Sequence, residues 1–118
     1  MLGSIEFGTA VAGSKVVIVM GHESCGAVKS AIDDVQVGNI TALLSNIKPA
    51  IEMSNDFDGE QSNANGDYVT HVVENNVRFT IEEMRKNSPM IAELERNGDI
   101  LIAGAFYDLD TGKVTFID

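Results

Sequence analysis

Gly21-His22-Glu23-Ser24-Cys25-Gly26 directly follows the apolar run Val16-Val17-Ile18-Val19-Met20. The run is β-branched and short, which suits a buried strand. The glycines then turn the backbone, and Ala27-Val28-Lys29-Ser30-Ala31-Ile32 continues as a helix. Strand, turn and helix in this order point to an α/β fold. His22 and Cys25 fall at the C-terminal end of the strand and the start of the helix, where open α/β sheets place ligands and chemistry. Imidazole and thiolate both bind zinc. A cysteine near a helix N-terminus also feels the positive end of the dipole, which favours the metal-binding thiolate. Two donors do not complete a zinc site, and Cys25 is the only cysteine.

The 118 residues suit one domain, and a hydrophobic content of 44% is enough for a core. With 18 acidic and 8 basic side chains the formal net charge is −10. Such a surface repels a phosphate backbone and an anionic membrane, so neither nucleic acid nor membrane is expected as a partner. No apolar run approaches the ~20 residues that span a bilayer. The N-terminus lacks the basic segment and apolar core of a secretory signal. One cysteine cannot form an internal disulfide, so the expected compartment is the cytoplasm.

Along the chain, Ser4 to about Val11 reads as a helix capped by Ser4. Lys15–Met20 is the first strand. A helix runs from Ala27 to about Val35, and another, capped by Asn39, from Ile40 to about Ser54 with a kink at Pro49. Asn55–Gly66 is a solvated loop. A long helix spans about Tyr68 to Asn87, with Val69, Val72, Val73, Val77, Ile81 and Met84 on its apolar face. Ser88-Pro89 opens a last helix that Asn97-Gly98 closes. Asp99–Tyr107 is a second buried strand, and the turn Asp110-Thr111-Gly112-Lys113 returns Val114–Ile117 antiparallel to it. The expected architecture is a small Rossmann-like sheet of two parallel strands plus a C-terminal antiparallel hairpin strand, flanked by helices. The first strand has no obvious neighbour on one side.

Other chemistries fit the loop less well. Ser24 lacks the flanking glycine of a nucleophile elbow, and no Gly-Lys-Ser/Thr closes a P-loop. A phosphate-binding cysteine loop would want an arginine, and the nearest downstream is Arg78. A Cys25 nucleophile with His22 as base is a further alternative. His71 reads as a half-exposed helical histidine. Asp56, Asp58 and Glu60 lack the twelve-residue calcium-loop pattern and read as a solvated acidic loop.

Ser4-Ile5-Glu6-Phe7-Gly8, then Val16 through Val28 with its His-x-x-Cys-Gly element, resembles the middle of a β-carbonic anhydrase. Asn39-Ile40, Ile47-Lys48-Pro49-Ala50, Asn76-Val77, Ser88-Pro89 and Gly104-Ala105-Phe106-Tyr107-Asp108 leading to Thr111-Gly112-Lys113-Val114 extend the resemblance from about Gly3 to Ile117. It implies hydration of CO2 to bicarbonate at a zinc ion held by two cysteines and one histidine. His22 and Cys25 match two of these ligands. The remaining cysteine, with an Asp-Arg pair that positions the attacking oxygen, belongs to an upstream Cys-x-Asp-Ser-Arg segment with no counterpart here. The resemblance thus covers the family's C-terminal two-thirds, and residues 1–118 read as one truncated domain. No catalytic residue is assigned, and CO2 hydration is expected to be weak or absent. Glu23, Asp33, Asp34 or a second subunit could complete the metal's coordination. The alternative is a non-catalytic zinc-binding, regulatory or oligomerising paralogue. The bare strand edge and the resemblance both imply a homo-oligomer, most simply a dimer.

Overall fold

The structure, a computed structural model, describes residues 1–117. Helix α1 (Leu2–Glu6) continues into a π-helical turn at Phe7–Val11. Strand β1 (Val16–His22) leads to α2 (Gly26–Ile32), α3 (Gly38–Ser45) and α4 (Lys48–Met53). The long α5 (Gly66–Asn87) and α6 (Pro89–Arg96) precede β2 (Leu101–Tyr107) and β3 (Val114–Ile117). The sheet order is β1-β2-β3, with β1 parallel to β2 and β3 antiparallel to it. This is the expected α/β architecture, and β1 is its uncovered edge.

Strand alternation decides how the sheet meets α5. Val17, Val19 and Gly21 of β1 share a face with Ile102, Gly104 and Phe106 of β2. A Cβ added at Gly21 would run into Val73 Cγ1 and lie 3.2 Å from Val77 Cγ2. At Gly104 it would lie 2.9 Å from Val77 Cγ1 and 3.0 Å from Ile117 Cγ1. The two glycines therefore let α5 sit directly on the sheet. The N-terminal half of α5 packs Tyr68, Val69, Val72 and Val73 with Val28, Leu44 and Ala50. Its C-terminal half places Met84 with Ile91, Ile100 and Ile102. Each fully buried Val, Leu or Ile contributes about 1.5–3 kcal/mol.

Several local expectations change. Gly21 does not turn the chain: β1 stays paired through His22, and Glu23 N donates to Tyr107 O at 2.9 Å. The turn falls at Ser24, which takes φ 55°. Ser4 lies inside α1, whose cap position is Met1. Asn39 lies inside α3, which follows Val37. The 40–54 segment is two helices, and Pro49 opens the second, where its missing N–H costs nothing. Helix α2 stops at Ile32, before Asp34 at φ 57°. Ser88 does cap α6, accepting from Ile91 N at 3.3 Å, while its hydroxyl donates to Glu6 Oε2 of α1 at 2.5 Å. Neither long strand is buried on both faces: Ile18 is 52% and Leu101 62% exposed, because one face of the sheet carries no helix.

Arg85 of α5 makes a two-pronged bond to Glu95 of α6, both contacts at 2.7 Å. These hydrogen bonds hold the Glu95 carboxyl below its ordinary range and raise the guanidinium. A carboxyl lowered on folding stabilises the protein above its unfolded pKa, and that contribution fades as pH falls through the folded value. Glu95→Gln is expected to lose about 0.5–1 kcal/mol at pH 7. The deficit should vanish in denaturant titrations as pH falls below about 4. Gly21→Ala should cost about 1–3 kcal/mol through overpacking. Val73→Ala should recover part of that loss in the double variant, although it destabilises alone. Strictly additive losses would place the clash elsewhere.

Candidate functional site

His22 is the last residue of β1, and Cys25 occupies the cap position of α2 with extended backbone angles of φ −62° and ψ 117°. The Cys25 carbonyl accepts the first helical bond, from Lys29 N at 3.0 Å. Its thiol is free and half-buried. His22 Nδ1 lies 2.9 Å from Glu23 O. A carbonyl can only accept, so Nδ1 carries the proton and Nε2 is left as a lone-pair donor. Metal-ligating histidines are commonly oriented this way by a backbone carbonyl.

His22 and Cys25 line the same cavity of about 280 Å³ between β1, α2 and α5, walled by Val19, Val28, Val73 and Val77. His22 also borders a second, apolar cavity of about 310 Å³ with Met20, Tyr107 and Leu109. It thus stands at the sheet's C-terminal end between two cavities, while Cys25 serves one.

The other candidate ligands are engaged elsewhere. Glu23 Oε1 accepts Leu109 N at 3.1 Å. Asp33 and Asp34 lie beyond the far end of α2, about 10 Å from its start at 1.5 Å per residue. Asp33 accepts from Asn63 at 3.0 Å, and Asp34 pairs with Lys48 at 2.5 Å, whose ammonium lowers its pKa. Among the described residues, the one group of three potential ligand side chains is Glu23, Asp108 and Asp110, with ligand atoms within 4.8 Å of one another. Neither His22 nor Cys25 belongs to it.

That acidic group serves the β2–β3 turn. Asp108 Oδ1 accepts from Asp110 N at 2.8 Å and Thr111 N at 3.3 Å, and Glu23 fastens Leu109 to the end of β1. Glu23 and Asp108 are far apart in sequence, and only the β1–β2 register brings them together. The Asp-x-Asp-Thr-Gly turn chemistry around Asp108 was the one local signal for this group. His71 is half-buried on α5, 3.4 Å from Asn75 Nδ2 and 4.0 Å from Asp56, with its ring tilted against Phe57. It does not line the His22–Cys25 cavity. Asp56, Asp58 and Glu60 are exposed, as expected of a solvated loop.

A family model described as carbonic anhydrase matches residues 1–114. The chain belongs to the β-carbonic anhydrase family. It is 27% identical over 123 residues to carbonic anhydrase 2 of Mycobacterium tuberculosis, covering 100% of this chain and 56% of that protein. It is 30% identical over 119 residues to a carbonic anhydrase of Mycolicibacterium smegmatis, covering 97% and 54%. The fold is shared with the β-carbonic anhydrase CafA of Aspergillus fumigatus at a TM-score of 0.83 and 21% identity, covering 98% of this chain and 54% of that one. One of two tetrameric β-carbonic anhydrases of Sordaria macrospora superposes with a TM-score of 0.79 at 22% identity, covering 98% and 58%. The chain spans about half the length of the curated relatives it matches.

Asp108→Ala removes the two bonds that Asp108 Oδ1 accepts in the turn and should cost about 1–2 kcal/mol. Asp110→Ala should change stability by less than about 0.5 kcal/mol. Urea midpoints of the two variants measure the difference, and equal losses would refute the assignment.

Proposed function

We propose that this chain is a carbonic anhydrase-like zinc protein in which His22 Nε2 and Cys25 Sγ are two of the metal ligands. The observation that carries the reading is the His22 Nδ1–Glu23 O hydrogen bond at 2.9 Å, which frees Nε2 while Cys25 lines the same cavity. The donor set fits zinc in kind, one imidazole and one thiolate, but not in number. Catalytic zinc takes three protein ligands, and when bound lowers the pKa of a coordinated water to about 7. The rest of the chemistry falls to the chain itself. Glu23 O holds the imidazole in its metal-binding tautomer. The valines of the cavity give an apolar wall that suits a small uncharged substrate such as CO2, beside the polar Asn76 and Thr80. Residues 1–118 contain no Cys-x-Asp-Ser-Arg sequence, and these residues by themselves are expected to hydrate CO2 weakly or not at all.

Because residues 1–118 supply two such donors, His22 and Cys25, a second reading is a non-catalytic zinc-binding or regulatory paralogue that works by assembly. The unpaired edge of β1 supports a homo-oligomer, most simply a two-fold dimer. The proposed compartment is the cytoplasm, since the single cysteine asks for no oxidising environment. Among the described residues no helix is long and apolar enough to cross a membrane.

Equilibrium dialysis with metal analysis tests the ligands: the chain should retain zinc, and Cys25→Ser and His22→Ala should each bring it to background. Zinc retained by Cys25→Ser would remove Cys25 from the ligand set. Stopped-flow CO2 hydration on the zinc-loaded chain separates the two readings. The expected rate lies far below the about 10⁶ s⁻¹ of an efficient zinc hydratase. A rate approaching that value would mean another group replaces the missing ones.

A further inference from the structure

We propose that Asn76 of α5 selects the small ligand of the His22–Cys25 cavity, its carboxamide N–H bonding an oxygen of bicarbonate. This deepens the zinc reading above and rests on it for the identity of the ligand. The helix itself singles out Asn76. Residues spaced three, four or seven apart share one stripe of a helix. Val73, Val72 and Val69 precede Asn76 at those spacings, and all three are buried. A valine at this position would continue the stripe. Asparagine is a poorer helix former and interrupts the apolar pattern. Its neighbour Asn75 shows what such a residue does when the fold needs it. Asn75 is buried, its Nδ2 donates to Ser54 Oγ at 2.9 Å, and its Oδ1 accepts from Arg78 Nη1 at 3.0 Å. The Asn76 carboxamide is half-buried and has no hydrogen-bond partner among the described residues.

The other polar groups of the cavity have already spent their protons. Asn76 and Thr80 line it with His22 and Cys25. His22 gives its N–H, on Nδ1, to Glu23 O. Thr80 donates its hydroxyl to the Asn76 carbonyl at 2.7 Å. A Cys25 thiolate has no proton to give. The remaining side chains of the wall are valines and Met20. Among the described side chains of this wall, the Asn76 amide is therefore the free N–H donor. The chemistry of the donor selects the ligand. Bicarbonate is small and planar, and its charged oxygens accept hydrogen bonds. A bond to an ionised acceptor is about twice as strong as one between neutral groups, and apolar surroundings strengthen it further. Dissolved CO2 carries no net charge and accepts weakly, so Asn76 holds the hydrated form in preference to the gas. No carboxylate side chain lines the cavity to repel the anion.

Titration of bicarbonate into the isotope-labelled, zinc-loaded whole chain tests the proposal, at mildly alkaline pH and constant ionic strength. Nuclear magnetic resonance follows the Asn76 side-chain amide pair, assigned by through-bond connection to its own backbone. The pair should move downfield and saturate together with the backbone amides of His22 and Cys25. In Asn76→Leu the bicarbonate dissociation constant, read from those backbone amides, should rise at least about tenfold with zinc content unchanged. Thr80→Val should change it by less than about twofold, because the hydroxyl is committed to the helix. An Asn76 pair that stays still, or an Asn76→Leu affinity within about twofold of the unmodified chain, would overturn the proposal and leave the metal reading standing. Zinc lost from Asn76→Leu alone would overturn it too, making Asn76 a support of the metal site. Zinc at background in the unmodified chain would overturn both. Should Asn76→Leu fail to fold, the movement of the amide pair in the unmodified chain decides by itself.

Discussion

The seating of α5 on two glycines holds the rest of the structure in place. Val73 and Val77 are one helical turn apart, and Val77 reaches both Gly21 on β1 and Gly104 on β2. No other residue allows that approach, because any Cβ would push the helix outward and open both core clusters. With α5 at this height, its first half packs α2, α3 and α4, and its second half packs α6 and the start of β2. The position of α2 fixes where Cys25 stands relative to the end of β1. Helix packing thus sets where Cys25 stands beside the end of β1, although Val73 and Val77 carry no chemistry.

Elements with strong local chemistry were legible from sequence. The long α5, the Ser88-Pro89 start of α6 and the hairpin turn before β3 are all found where propensity and turn residues put them. The misreadings share one cause. Gly21 follows a strand and precedes a helix, so it reads as a turn, yet what requires glycine there is Val73, more than fifty residues away. Local sequence cannot say what lies across the sheet. The same limit applies to burial. An unbroken apolar run reads as a strand covered on both faces, and Val16–Met20 contains no polar residue to show which face is open. The α3–α4 break passes through Asn46 and Ile47 without a glycine or a proline, so only Pro49 signals it, and a proline there fits a kink equally well.

At the site, motif and geometry carry different parts of the answer. His22 and Cys25 stand out by residue type and spacing, and the structure sets both on one cavity wall. The fate of the neighbouring carboxylates was not legible. Glu23 sits between them in sequence and looks available, but the Tyr107–Leu109 segment of the other long strand claims both its backbone N–H and its carboxylate. Asp33 and Asp34 look close by number and are carried away by the length of α2. Hydrogen-bond partners and the length of α2 together decide where these carboxylates stand.

The two donors also differ in what holds them. Cys25 is tied to α2 and packs against the core cluster beneath α5, so its position follows the core. His22 continues the Val16, Ile18, Met20 series on the open side of the sheet, and its ring borders the apolar cavity formed with Met20, Tyr107 and Leu109. Its orientation rests on one hydrogen bond to Glu23 O and on whatever fills that cavity. A candidate site with one core-anchored side chain and one face-anchored side chain has a rigid half and an adjustable half. Cover on the open face would pack Met20 and the residues beside His22, restricting the imidazole without touching Cys25. On the proposed zinc reading, a change at the exposed face would reach the metal through His22 rather than through the thiolate.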